Sequence, residues 1–101
     1  MIELLTANTP NGKKISIMLE EVGFEYKLTK VNINKDDQFK PEFKKISPFS
    51  KTPVIIDHET KLSIFESGAI LIYLGEKSNK FYDKDKRTLI NQWLMGQIGN
   101  I

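Results

Sequence analysis

Ile2 to Leu5 forms a short, mainly apolar run, and after a polar stretch from Thr6 to Gly12 the residues Ile15, Met18, Leu19 and Val22 recur at helical spacing up to Gly23. The pattern predicts a strand, a loop and a helix. Tyr26 and Leu28 then alternate with lysine and threonine, and Val31 and Ile33 continue the alternation one residue out of phase, as a bulge or a strand end requires. A second strand is expected there. Strand, helix and strand follow within about thirty residues, which favours a crossover that leaves the two strands parallel.

The polar loop Asn34 to Gln38 leads to Pro41, Glu42, Phe43 and Ile46, a short helix with proline in its first turn and Pro48 at its exit. Val54 to Ile56 and Leu62 to Phe65 flank Asp57, His58, Glu59, Thr60 and Lys61, which predicts an antiparallel hairpin with a polar turn. Glu66 and Ser67 precede Ala69, Ile70, Leu71, Tyr73 and Leu74, a further helix in which Ser67 supplies a capping hydroxyl and Glu66 an acidic group at the favourable dipole end. The expected fold class is α/β, in the order β-α-β-α-β-β-α, with a mixed four-stranded sheet. Beyond Lys77 the chain turns polar and charged through Arg87, and from Thr88 onward Ile90, Trp93, Leu94, Ile98 and Ile101 mark an apolar stripe at helical spacing. That stripe reads as one more helix, whose own partner helices are expected to be missing.

One hundred and one residues, 40% hydrophobic and 28% charged, suffice for one ordinary soluble domain. Fifteen Lys and Arg against thirteen Asp and Glu leave a net charge of +2, and the basic residues are spread along the chain, so no nucleic acid is expected as a partner. No apolar run approaches the ~20 residues that span a bilayer, and no leader pattern opens the chain, so no membrane partner and a cytoplasmic location are expected. Cysteine is absent, which excludes a disulfide framework, a thiolate metal site and a redox couple made of the protein's own thiol. Any sulfur chemistry has to arrive with a ligand.

Lys51-Thr52-Pro53-Val54 places proline directly before a strand, after the loop Ser47-Pro48-Phe49-Ser50. A cis bond at Thr52-Pro53 would offer the Thr52 amide and carbonyl to an extended peptide as an added strand, whereas a trans proline would simply blunt the strand entry. In Glu66-Ser67-Gly68-Ala69 the amides of a helix start and the Ser67 hydroxyl suit a carboxylate while Glu66 accepts from an ammonium; a zwitterionic amino-acid head group fits, and so does an ordinary helix cap. Thr9-Pro10-Asn11-Gly12 opens the first helix, where an anion near Asn11 would meet free amides and the positive dipole end, and there too a plain cap is the alternative. His58, without a second histidine, is not expected to bind a metal, and none is expected elsewhere. Phe43, Phe65, Tyr73 and Trp93 read as core or interface packing, and Lys13 and Lys14 as solvated charges that at most help attract an anion.

Together these elements resemble the N-terminal, thioredoxin-like domain of glutathione transferases, over Met1 to about Lys77. Thr9-Pro10-Asn11-Gly12, Gln38-Phe39-Lys40-Pro41-Glu42-Phe43, Ile46-Ser47-Pro48 and Phe65-Glu66-Ser67-Gly68-Ala69-Ile70 look most like the bacterial Nu class and its fungal, nitrogen-regulator-like relatives. The resemblance implies a glutathione-binding domain at 1–77, a linker at 78–87 and, at 88–101, the opening of an all-helical second domain. It further implies that Pro53 is the family's cis-proline, that Thr52 pairs with the cysteinyl backbone of glutathione, and that Glu66 and Ser67 hold the γ-glutamyl group. Lys51 and Gln38 fall where side chains reach the glycyl end or a second glutathione, and Thr9 and Asn11 fall nearest the sulfur, as the residues expected to act in catalysis. Asn11 cannot act as a base at neutral pH, but as a donor beside a helix N-terminus it would favour the thiolate.

The implied activity is glutathione conjugation of a small electrophile or glutathione-dependent disulfide reduction, with glutathione or its disulfide as partner, no metal, and a homodimer as the assembly. The alternatives are a non-catalytic glutathione-binding or protein-interaction module, and a truncated transferase with little activity.

Overall fold

The computed structural model describes residues 1–99, so the expectation for Ile101 lies outside the described residues. Strand β1 (Ile2–Thr6) buries alternate side chains, as a central strand must, and runs parallel to β2 (Tyr26–Lys30) in the register Ile2 to Tyr26 through Thr6 to Lys30. Helix α1 (Pro10–Val22) crosses between them. Thr9 caps it, its Oγ1 accepting from the Gly12 amide at 3.1 Å, and Gly23 ends it at φ 76°, donating to the Leu19 and Glu20 carbonyls.

Strand β3 (Val54–Asp57) pairs antiparallel with β1, and β4 (Leu62–Phe65) antiparallel with β3, which gives the sheet order β2-β1-β3-β4. Helix α2 (Pro41–Lys44) is a single turn anchored by buried Phe43, while α3 (Ser67–Ser78) lies beside α1. Strand alternation divides the apolar residues between two faces. Ile2, Leu4 and Ile55 meet Ile15, Leu19, Ile70 and Leu74 from the two long helices; Leu5 and Val54 meet Val31, Phe43 and Ile46 on the other side. The expected β-α-β-α-β-β-α order and mixed sheet are present, followed by α4 (Arg87–Gly99).

Several expectations need correction. Ile33 does not continue β2: the Val31 amide still reaches the Thr6 carbonyl at 2.8 Å, but Asn32 then caps a 3-10 turn over Ile33–Lys35, and Ile33 is exposed. Asp57 is not in the hairpin turn but closes β3, fully buried, where its carboxylate serves three donors from the turn and α3. Ser67 is not a cap. It is the first residue of α3, and Glu66, the cap position, makes no side-chain capping bond. Of the core-or-interface reading of Trp93 only the core half falls: it is 75% exposed on α4, whereas Ile90 and Leu94 are half-buried.

Candidate functional site

Register alone brings the three chemically interesting loops together. Leu5 near the end of β1, Val54 at the start of β3 and Phe65 at the end of β4 stand in line across the sheet. The loop into α1, the loop into β3 and the turn into α3 therefore leave the sheet at one edge, and between them lies a cleft of about 280 Å³. Asn11, Lys51, Thr52, Pro53, Glu66 and Ser67 all line it. Thr9 and Gln38, the other residues singled out in the sequence, do not. Thr9 precedes Asn11 by two residues, with its hydroxyl oxygen used as the α1 cap, and Gln38 sits in a 3-10 turn (Asp37–Phe39), its Oε1 buried without a partner among the described residues.

One wall of the cleft is backbone. The Thr52-Pro53 peptide is cis, and among the described residues neither the amide nor the carbonyl of Thr52 has a hydrogen-bond partner. Ser47 holds this loop in place: its buried Oγ donates to the Lys51 carbonyl at 2.7 Å and accepts from the Lys51 amide at 3.1 Å. That role was not legible beforehand, because a serine beside a proline looks like any turn residue. The opposite wall is the start of α3. Glu66 is held at φ 74°, a region that costs a non-glycine residue on the order of 1–3 kcal/mol, and it leaves the Ser67 amide and hydroxyl without partners among the described residues. Ser67 is only 7% exposed, and what is exposed of it faces the cleft it lines. The capping alternative fails for Ser67 and holds for Thr9.

The rim is apolar. Phe49 and Phe65 meet edge to face with centroids 5.8 Å apart, and Ile98 of α4 reaches the cleft from above Gly68. Phe65 is thus a half-exposed rim residue, which removes the core half of its core-or-interface reading. At the loop into α1, the Asn11 Oδ1 accepts from Lys14 Nζ at 3.1 Å, so Lys14 is not simply a solvated charge. Gly12 is required behind it: a Cβ there would overlap Thr6 Oγ1 and stand 2.8 Å from the Ala7 carbonyl oxygen.

A larger hollow of about 620 Å³ lies outside α3, beside Leu62, Ile64 and Ile72, but its Tyr73 and Lys77 polar groups are turned to Asp57 and do not converge on its interior. Among the described residues no three His, Cys, Asp or Glu side chains are grouped to hold a metal, and His58 pairs with Glu3 at 2.9 Å. No described helix is long and apolar enough to cross a membrane.

The model of the glutathione S-transferase N-terminal domain matches residues 2–76, and the chain belongs to that family. Within it, the relatives are bacterial Nu-class and fungal URE2-like proteins. Disulfide-bond oxidoreductase YfcG of Escherichia coli strain K12 is 47% identical over 108 residues, covering 100% of this chain and 50% of that protein. The transcriptional regulator URE2 of Saccharomyces cerevisiae is 37% identical over 102 residues, covering 89% of this chain and 28% of the regulator. A glutathione transferase from Pseudomonas putida, solved with one glutathione disulfide bound per subunit, superposes with a TM-score of 0.90 at 46% identity, covering 97% of this chain and 45% of that one. The chain spans half or less of the length of these relatives.

Proposed function

We propose that the cleft binds glutathione and that the bound thiol, held as thiolate beside Asn11, performs the chemistry of a transferase or of a glutathione-dependent disulfide reductase. The observation that carries this reading is the pair of backbone sites, Thr52 on one wall and Ser67 on the other, that have no partner among the described residues. Glutathione matches them part by part. Its cysteinyl backbone adds to Thr52 as a short strand, its γ-glutamyl carboxylate meets the Ser67 amide and hydroxyl at the helix N-terminus, and its ammonium meets the Glu66 carboxylate. The sulfur then lies toward Asn11, with Thr9 behind it, and the glycyl carboxylate toward Lys51 and Gln38.

With no cysteine in the chain, both reactions run on the ligand's sulfur. In conjugation the thiolate forms a carbon–sulfur bond to a small electrophile, which loses its leaving group or takes up a proton. In disulfide reduction the thiolate displaces one thiol of the substrate to give a mixed disulfide, and a second glutathione displaces the other, so two glutathione thiols are oxidised to one glutathione disulfide. A reducing, cytosolic setting suits this chemistry, and homodimeric assembly is part of the proposal. The proposed division is a tripeptide-binding unit at 1–77, a linker at 78–87 and a helical part from 88, the outermost linker residues Ser78 and Arg87 closing α3 and opening α4.

Calorimetric titration of the chain with glutathione and with its disulfide tests the reading: saturable binding of either is expected, and binding of neither overturns it. The likeness to URE2 favours a second reading, a module that binds glutathione in a regulatory role. Saturable binding with no turnover of an aryl electrophile or a small dialkyl disulfide would select it.

A further inference from the structure

Asn11 lines the cleft with a side chain whose two ends are nearly the same shape and opposite in function: Nδ2 donates two hydrogen bonds and Oδ1 only accepts. Turned one way it stabilises an anion in the cleft; turned the other way it presents a lone pair and repels one. What decides is the group behind it. Lys14, one turn along α1, places Nζ 3.1 Å from Oδ1. An ammonium has three donors and no acceptor, so it can pair only with the oxygen end. We propose that Lys14 is a positioning residue that sets the Asn11 carboxamide with its NH2 toward the cleft, and so toward the ligand sulfur, a role that rests on the glutathione reading above.

Three features make this more than a helix-surface pair. Pro10 and the Thr9 cap fix the first turn of α1, so the Asn11 Cβ has one direction. Gly12 holds that turn against Thr6 and Ala7. The adjacent Lys13 is exposed, and its side chain makes no ion pair or hydrogen bond among the described residues, its amide alone donating to the Thr9 carbonyl, which supplies a matched control of equal charge one residue away.

The test is the ultraviolet thiolate absorbance of bound glutathione, titrated with pH in the full chain and in the variants Lys14→Met, Lys14→Arg, Lys13→Met and Asn11→Ala. Lys14→Met should move the bound thiol's midpoint upward by about half a unit to one unit, which at pH values below the midpoint cuts the thiolate fraction about three- to tenfold. Arginine, also a pure donor, should restore it, and Lys13→Met should leave it near its original place. The shift should persist at high salt, because it comes from an oriented amide and not from a screened surface charge. Equal shifts in Lys13→Met and Lys14→Met, or a shift abolished by salt, would overturn the positioning role. If Asn11→Ala moves the midpoint and Lys14→Met does not, Lys14 alone is misassigned. If Asn11→Ala leaves it unmoved, or glutathione does not bind, the thiolate reading falls and the positioning role with it.

Discussion

Lys77 Nζ lies 2.6 Å from Oδ2 of Asp57, tying the last turn of α3 to the end of β3 through a carboxylate with no solvent exposure. The Tyr73 hydroxyl donates to the same oxygen, and the Glu59 amide donates to Oδ1 at 3.0 Å. Burial pushes the Asp57 pKa up, but the bonds from Lys77, Tyr73 and Glu59 more than offset it and hold the group well below the usual carboxylate range. The same contact raises the pKa of Lys77.

Because the folded-state pKa of Asp57 is depressed, its contribution to stability is complete above the unfolded value of about 3.9 and is lost as pH falls through the folded value. Lys77→Met should cost about 1–3 kcal/mol near neutrality, where it leaves a buried carboxylate short of a donor. Thermal unfolding followed from neutral pH into acid should show the gap between the two proteins narrowing below pH about 4. A gap that stays constant through the acid range would mean that the charge pair is not its source.

Thr9 and Ser67 look alike in sequence, each a hydroxyl residue at a helix start, and the structure separates them. Thr9→Ala removes a real cap and should destabilise the fold by about 1 kcal/mol. Ser67→Ala removes a hydroxyl that caps nothing, so denaturant unfolding should change little, while calorimetry should show glutathione binding weakened by about 1–3 kcal/mol through loss of a charge-assisted bond. Unchanged affinity with the fold intact would remove Ser67 from the site.

Gly12→Ala should be among the most damaging single changes near the cleft. Its Cβ has no room beside the Ala7 carbonyl oxygen at 2.8 Å, and β1 cannot move without disturbing both of its neighbours in the sheet. A loss of about 1–3 kcal/mol, the usual cost of overpacking, is expected in urea unfolding. Near-wild-type stability would show that the loop into α1 relaxes more freely than its packing implies.

Much of this was legible because local pattern and global need coincide. The periodicity of Ile15, Leu19 and Val22 with Gly23 behind them could only be a helix end, and Pro53 before Val54-Ile55-Ile56 marked the loop that forms one wall of the cleft. The misreadings fell where tertiary structure decides. Asp57 looks like a turn residue because aspartate favours turns, and only the approach of Tyr73 and Lys77 from α3 lets a carboxylate be buried there. Ile33 continues the β2 pattern, but β1 ends at Thr6, opposite Lys30, so no ladder remains for Ile33 to join. The two bonds of Ser47 to Lys51 and the one bond of Lys14 to Asn11 are side-chain contacts that no spacing rule reveals.

Helix α4 carries two apolar stripes. Ile90, Leu94 and Ile98, spaced four apart, are the more covered one, and Ile98 rests on α3 where a Cβ on Gly68 would overlap its Cδ1. Leu89 and Trp93 form the neighbouring stripe, 54% and 75% exposed, whereas Met95 falls on the far side of the covered stripe, toward Gly68. Single exposed apolar residues are ordinary, but Leu89 and Trp93, one turn apart on the same face, form a surface that water solvates poorly. At about 25 cal/mol per Å², covering a few hundred Å² of it would contribute several kcal/mol before the cost of association. The 101-residue chain is therefore expected to self-associate through α4 with increasing concentration, and Trp93→Glu should shift it toward monomer without loss of the β1–β4 sheet signal in circular dichroism. Sedimentation velocity over a wide concentration range decides the matter: a chain that stays monomeric throughout, with and without Trp93→Glu, would show that α4 does not join two copies.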